Sequence, residues 1–193
     1  MNISDFYTTY TKFSSKTFHT EPVDTVMVMT RYDDLIKGDF KGIKFPLKFQ
    51  QHWGNKLLDI LNTGTPSLYL ISNKLKTLLQ EKQVTGWTSF EIELLDKKGL
   101  EVKGYYGFSV TGRCGPADEN KSEIITKHFD SGFINHYRKG LYIGLDQWNG
   151  SDFFYPDGTS HLITTKRVVD ILIDYKISNV QFENLTEIEM MIL

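Results

Sequence analysis

The chain has one cysteine, Cys114, in 193 residues. That excludes an intrachain disulfide and fits a reducing, cytoplasmic home. Long apolar runs are also missing. No stretch approaches the roughly 20 residues that cross a bilayer. The segment from Met1 to Phe13 carries Asp5 and many polar residues, with no charged n-region followed by an apolar h-region, so neither membrane nor signal peptide is expected. There is no excess of one charge: 22 basic residues face 24 acidic ones, for a formal net charge of −2. A dedicated nucleic-acid binder normally shows a basic stripe, so nucleic acid is not an expected partner. Gly104, Gly107, Gly112 and Gly115 fit neither a dinucleotide fingerprint nor a P-loop. His19, His52, His128, His136 and His161 are scattered, whereas structural zinc sites draw on several ligands at short spacing. Asp146, Asp152 and Asp157 lack the tight oxygen alternation of a calcium loop. No cofactor or metal is therefore expected.

What is present is a composition fit for a core, 40% hydrophobic and 13% aromatic. A chain of this length buries roughly 70% of its unfolded surface, and length favours one α+β domain over residues 1–193, or two halves sharing a core. The first 20 residues show no period and read as an irregular arm or short strand. Val23 to Thr30 is apolar and β-branched, which predicts a buried strand. Tyr32 to Lys37 reads as a helical turn ended by Gly38. Phe49, Trp53, Leu57, Ile60 and Leu61 recur at helical spacing and predict a helix over 49–61. After the Asn62–Pro66 turn comes a short strand, 67–71, and a helix to about Gln83 with Ser72 as N-cap and Leu75, Leu78 and Leu79 as its buried stripe. Phe90, Ile92 and Leu94 alternate with Glu91 and Glu93 as one half-buried strand. Val102 to Val110 reads as a strand, Gly112 to Asn120 as a loop, and 121–140 as ambiguous. Leu141 to Leu145 is a further strand. Phe153–Tyr155 and His161–Thr164 flank Pro156-Asp157-Gly158, which predicts a hairpin.

The most informative pattern is an internal echo. Residues 70–88 and 163–181 each run apolar strand end, hydroxyl, basic residue, helix, turn, strand. Ser72 matches Thr165, Lys74 matches Arg167, and Leu75, Leu78 and Leu79 match Val168, Ile171 and Leu172. Gly86 and Asn179, the residue types best suited to a left-handed turn, match one another. The echo predicts two similar strand–helix–strand units, about 57–95 and 150–188, packed on a mixed, largely antiparallel sheet.

Three readings of the chemistry follow. Cys114, between Gly112-Arg113 and Gly115, is a candidate nucleophile if the glycines expose it and Arg113 lowers its pKa; a catalytic cysteine also needs a His base, and none is identified. Alternate carboxylates such as Glu91 and Glu93 share a strand face, most simply a solvated one. Tyr105, Tyr106, Tyr142, Trp148, Phe153, Phe154 and Tyr155 concentrate aromatic area in the centre of the chain, either as core or as a binding surface needing no catalytic residue.

The pattern Leu70-Ile71-Ser72-Asn73-Lys74-Leu75-x-x-Leu78-Leu79 ending Val84-Thr85-Gly86-Trp87 resembles a recurrent element of the eleventh class of bacterial polymorphic-toxin immunity proteins. So does the later run from Phe153-Phe154 through Leu162-Ile163-Thr164 to Ile177-Ser178-Asn179-Val180-Gln181-Phe182, where Asn179 stands in place of the usual Gly. The resemblance covers about 57–188 and leaves the N-terminal third aside. It implies a cytoplasmic antidote that blocks a cognate protein toxin by occlusion, with no catalytic residue. Glu91, Glu93, Glu183 and Glu187 are then candidates for meeting a basic toxin, with Tyr105, Trp148 and Phe154 as aromatic contacts. The rival functions are a small enzyme using Cys114 and a non-catalytic domain that self-associates or regulates; homo-oligomerisation is left open.

Overall fold

The computed structural model describes residues 2–12, 14–159 and 161–192. Met1 and Phe13 of the expected N-terminal arm and Leu193 at the chain's apolar end lie outside the described residues. In order the elements are β1 (Phe6–Tyr10), β2 (His19–Pro22), α1 (Thr25–Thr30), α2 (Tyr32–Lys37), β3 (Leu47–Trp53), β4 (Ile60–Asn62), β5 (Tyr69–Ser72) and α3 (Asn73–Glu81). There follow β6 (Trp87–Phe90), β7 (Ile92–Leu95), β8 (Tyr105–Val110), β9 (Arg113–Ala117), β10 (Glu123–His128), β11 (Ile134–Lys139) and β12 (Ile143–Gly144). The chain closes with β13 (Phe153–Pro156), β14 (Ile163–Thr165), α4 (Lys166–Asp174), β15 (Gln181–Asn184) and β16 (Glu189–Met191). Among the described residues these strands form four sheets, two wholly antiparallel and two mixed, with few helices, the expected α+β class.

The echo has a structural counterpart. One sheet runs β4-β5-β8-β6, and part of another runs β13-β14-β1-β15. Their registers correspond, at one constant sequence offset except for the strand paired with the helix-leading one: Ile60 faces Ile71 as Phe153 faces Thr164, and Ser72 faces Tyr105 as Thr165 faces Phe6. The strand playing the part of β8 in the second unit is β1, from the opposite end of the chain. In each sheet this strand lies outside the span of its echo segment, β8 beyond 57–95 and β1 far from 150–188, and the β1 pairing is long-range and leaves no local trace. Helices α3 and α4 press their stripes, Leu75, Leu78 and Leu79 against Val168 and Leu172, into one shared core with Phe108, Phe153 and Ile177. Each such side chain contributes roughly 2 kcal/mol by leaving water.

Two carboxylates tie the units together. Asp59 accepts from Ser72 Oγ (2.9 Å) and Lys74 Nζ (3.3 Å) of its own unit, and from Ser178 N and Oγ (both 2.8 Å) of the other. Asp152 accepts from Thr165 Oγ1 (3.0 Å) and Arg167 Nη1 (2.8 Å) of its own unit, and from Thr85 N (2.9 Å) and Oγ1 (3.2 Å) of the other. Each aspartate thus holds its own helix start and the turn that follows the opposite helix. The correspondence has one asymmetry. Ser72 also caps its helix through Leu75 N (3.2 Å), while the Thr165 side chain gives its hydroxyl to Asp152 and makes no cap bond.

Several expectations fail for definable reasons. Residues 49–61 are not a helix. Leu47 and Phe49 point into the core while Lys48, Gln50 and His52 point out, a strand's period of two, and Leu57 is exposed. At Gly54 the φ of +64° and a Thr17 carbonyl only 1.8 Å from where a Cβ would stand break the supposed helix. Val23 to Thr30 is not a strand: Asp24 accepts from Met27 N (2.9 Å) and starts α1, whose Val26 and Met29 stay exposed. An N-cap outweighs weak β propensity in so short a segment. The expected strand through Phe90 and Leu94 is two strands in two sheets, β6 on β8 and β7 on β3, switching at Glu91. The expected loop over 112–120 contains β9, paired in parallel with β13, because Gly112 lets the Phe153 carbonyl approach to 2.0 Å from an imagined Cβ. The Pro156-Asp157-Gly158 hairpin, the α2 turn ended by left-handed Gly38, and α3 with its Ser72 cap are as expected.

Candidate partner-binding surface

Residues 121–140, ambiguous from sequence, form a largely exposed hairpin. The strands β10 and β11 pair over Glu123↔Lys139 to His128↔Ile134, and β16 adds to β11. Their turn is closed by Phe129 N donating to Phe133 O (2.9 Å) and Gly132 N to Phe129 O (2.8 Å), with Gly132 at φ +82°. Alternation puts Ile124, Thr126, His128, Ile134 and His136 on one face of this arm and Ile125, Lys127, Tyr137 and Met191 on the other. Ile124 is 67% exposed and Phe133, at the tip, 70% exposed; Phe129, Ile134 and Met191 are exposed as well. Contiguous bare apolar side chains of this kind mark interaction surfaces.

The arm's basic residues are paired internally, while Glu123 and Asp130 form no ion pair among the described residues. Lys127 pairs with Glu189 and lies 5.1 Å from the Tyr137 ring centroid; Arg138 pairs with Glu119 (3.0 Å) and Lys139 with Glu187 (2.8 Å). The Lys139 contact holds the Glu187 carboxyl below its ordinary range. What remains for recognition on the arm is chiefly apolar. Its sequence signal was Asp130-Ser131-Gly132 between β-branched and aromatic residues, masked because both faces of the hairpin mix apolar and charged positions.

The structure scatters the carboxylates and aromatics chosen from sequence. Glu91 is exposed where the chain switches sheets, and Glu93 on β7 pairs with Lys48 (2.8 Å). Glu183 lies half-buried on β15 opposite Thr8, and Glu187 stands at the base of the arm. Tyr105 donates its hydroxyl to Leu58 O (2.9 Å), and burial, with the nearby Asp59 charge, pushes its pKa up to about 12. Trp148 is half-buried, its Nε1 donating to Ser151 O (3.1 Å) and its ring edge-on to Phe6 at 5.1 Å. Phe154 is 0% exposed, packed with Phe6 and Ile163, and has no surface to offer a partner. Alternation along β13 fails to reveal this because the strand is covered on both faces, as central strands are.

Cys114 is 2% exposed on β9, where Gly112 lies against the Phe153 carbonyl and Gly115 against the Gln147 side chain instead of opening a path. Burial, together with Asp157 and Asp146, pushes its thiol pKa up to about 11. Arg113 turns its guanidinium to Val110 O and Gly112 O. The expectation of an exposed, acidified thiol is thus corrected. Since the thiolate is the reactive form, iodoacetamide labelling of the folded protein at pH 8 is expected to be slower than in denaturant by on the order of 100-fold; comparable rates in the two states would show an activated cysteine. Among the described residues no group of three His, Cys, Asp or Glu side chains is placed to hold a metal ion, and no helix is long and apolar enough to cross a membrane.

A family model described as "Immunity protein family (Imm11)" matches residues 10–187. The chain belongs to the Imm11 immunity protein family. Among curated proteins none matches it. The match begins at Tyr10, the last residue of β1, and ends at Glu187, so the Imm11 region takes in both strand–helix–strand segments, both aspartate ties and the β10–β11 hairpin, but only the last residue of the β1 strand that pairs with the second segment. The sequence resemblance covered the units but stopped short of α1, α2 and β3, which the Imm11 match includes.

Proposed function

We propose that this Imm11 protein binds a cognate protein toxin in the cytoplasm and neutralises it by occlusion, using the β10–β11–β16 arm as its docking element and no chemistry of its own. The observation that carries the reading is the set of bare apolar side chains, Ile124, Phe129, Phe133 and Ile134, on an arm whose basic residues are already paired. A buried, deacidified Cys114 weighs against the enzyme reading. Glu91 and Glu183, which form no ion pair among the described residues, are left to steer a basic toxin, an effect seen in association rate more than affinity.

Calorimetry of the purified protein with the toxin domain encoded beside it tests this. A dissociation constant near ~1 nM, about −12 kcal/mol, is expected. Phe133→Ala is expected to weaken binding by about 2 kcal/mol, some 30-fold, as loss of a central aromatic anchor does, with unchanged circular dichroism. Full affinity in both Phe133→Ala and Ile124→Ala would move the interface off the arm, and no binding by the intact protein would end the antidote reading.

A further inference from the structure

Among the described residues the arm has an open edge. Strand β10 is terminal in the order β10-β11-β16. Which backbone groups face outward is decided by two hydrogen bonds. Phe129 N donates to Phe133 O, and Ile192 N donates to His136 O. In an antiparallel pair each residue directs both its N–H and C=O to one side, alternating along the strand. The first bond therefore sets Glu123, Ile125 and Lys127 toward β11. The second sets the even residues of β11 toward β16, in agreement. The N–H and C=O groups of Ile124, Thr126 and His128 consequently point away from the sheet. These same residues are exposed through their side chains. The strand has no proline and no bulge in its register, two of the devices that normally blunt an edge.

We propose that this edge is occupied by the same edge of a second copy of the chain, antiparallel about Thr126, joining two arms into one continuous sheet. The edge is complementary to itself. With Thr126 opposite Thr126, Ile124 stands opposite His128 of the other copy, and every outward N–H meets an outward C=O. On the alternate face Glu123, which forms no ion pair among the described residues, lies diagonal to Lys127 of the other copy, where it would share that lysine with Glu189, twice over by symmetry, and diagonal pairs are within reach of long side chains. No like charges are brought opposite one another. The bare Ile124 side chain is covered from the side, while Phe133 and Ile134 stay open, so pairing does not depend on the toxin reading and takes only Ile124 from its surface.

The test is light scattering on the full chain in the absence of toxin. A mass twice the chain's 22.3 kDa is expected. Thr126→Pro should give the monomer mass with unchanged circular dichroism, since the missing N–H faces the open edge and not β11. Glu123→Lys should weaken dimerisation by roughly tenfold by setting two lysines at each diagonal. A wild-type monomer, or a dimer that survives Thr126→Pro, overturns the proposal. So does a monomer whose Thr126 and His128 amides become protected from hydrogen exchange only when toxin is added, which would assign the edge to a toxin strand.

Discussion

Asp152→Ala is expected to lower the stability of the protein by about 3 kcal/mol, the scale for removing a buried acceptor that satisfies several donors. For a chain of this size that corresponds to a fall in melting temperature of roughly 6–12 °C. The loss comes mainly from the Thr85 N–H and the Thr85 and Thr165 hydroxyls, which share Asp152. Arg167 is half-exposed, so water takes over much of its charge. The damage should appear at the junction between the units. Denaturant melts of Asp152→Ala and Asp59→Ala check this, and a loss below ~1 kcal/mol for both would show that the carboxylates are replaceable by water.

The Asp59 tie also carries a pH signature. Burial raises its pKa, but the hydrogen bonds from Ser178 N, Ser178 Oγ and Ser72 Oγ, with the Lys74 charge, outweigh burial and leave it lowered. A carboxyl with a depressed folded pKa stabilises the fold above its unfolded value, near pH 4, and that stabilisation disappears as pH falls through the folded value. Wild-type stability should therefore fall below roughly pH 4, and Asp59→Asn should flatten that limb. An unchanged acid limb would show that Asp59 does not contribute to it.

Gly86→Asn is expected to cost about 3 kcal/mol, the upper range for forced overpacking, whereas Asn179→Gly should cost about 1 kcal/mol, one hydrogen bond. The two positions correspond in the echo and both are left-handed, at φ +80° and +66°. Conformation cannot distinguish them, because asparagine tolerates this region. Space does. A Cβ at Gly86 would stand 2.1 Å from the Phe153 carbonyl and 2.6 Å from Ser151 Cβ. At Asn179 there is room, and its Nδ2 donates to Ile60 O (2.7 Å). Thermal melts of the two variants should differ clearly. Equal, mild losses would mean that the Phe153 strand shifts at little cost.

The features legible in the sequence were those written locally. The Ser72 cap, the stripe of Leu75, Leu78 and Leu79, and the turn at Pro156-Asp157-Gly158 depend on neighbours within a few residues, and each is found. Their repetition was enough to mark two similar units. The 49–61 segment was misread because Phe49, Trp53 and Leu57 satisfy a helical period by coincidence. Only the long-range partners β2 and β7 show that Leu47 and Phe49 are the inward residues. Phe154 was misplaced for a related reason, since an aromatic on a strand buried on both faces looks the same in sequence as one at an interface.

Composition and local pattern by themselves determined the α+β class, the echo between residues 70–88 and 163–181 and the lack of a familiar catalytic motif in the sequence, because these follow from periodicity and nearest-neighbour chemistry. The tertiary structure alone decided that β1 completes the second unit, that Asp59 and Asp152 cross-link the pair, that Cys114 is enclosed, and that the arm stands bare with an open edge. Each of these depends on which distant segments come together. That is settled by the burial and hydrogen-bond pairing of the whole chain, which no single stretch of it carries.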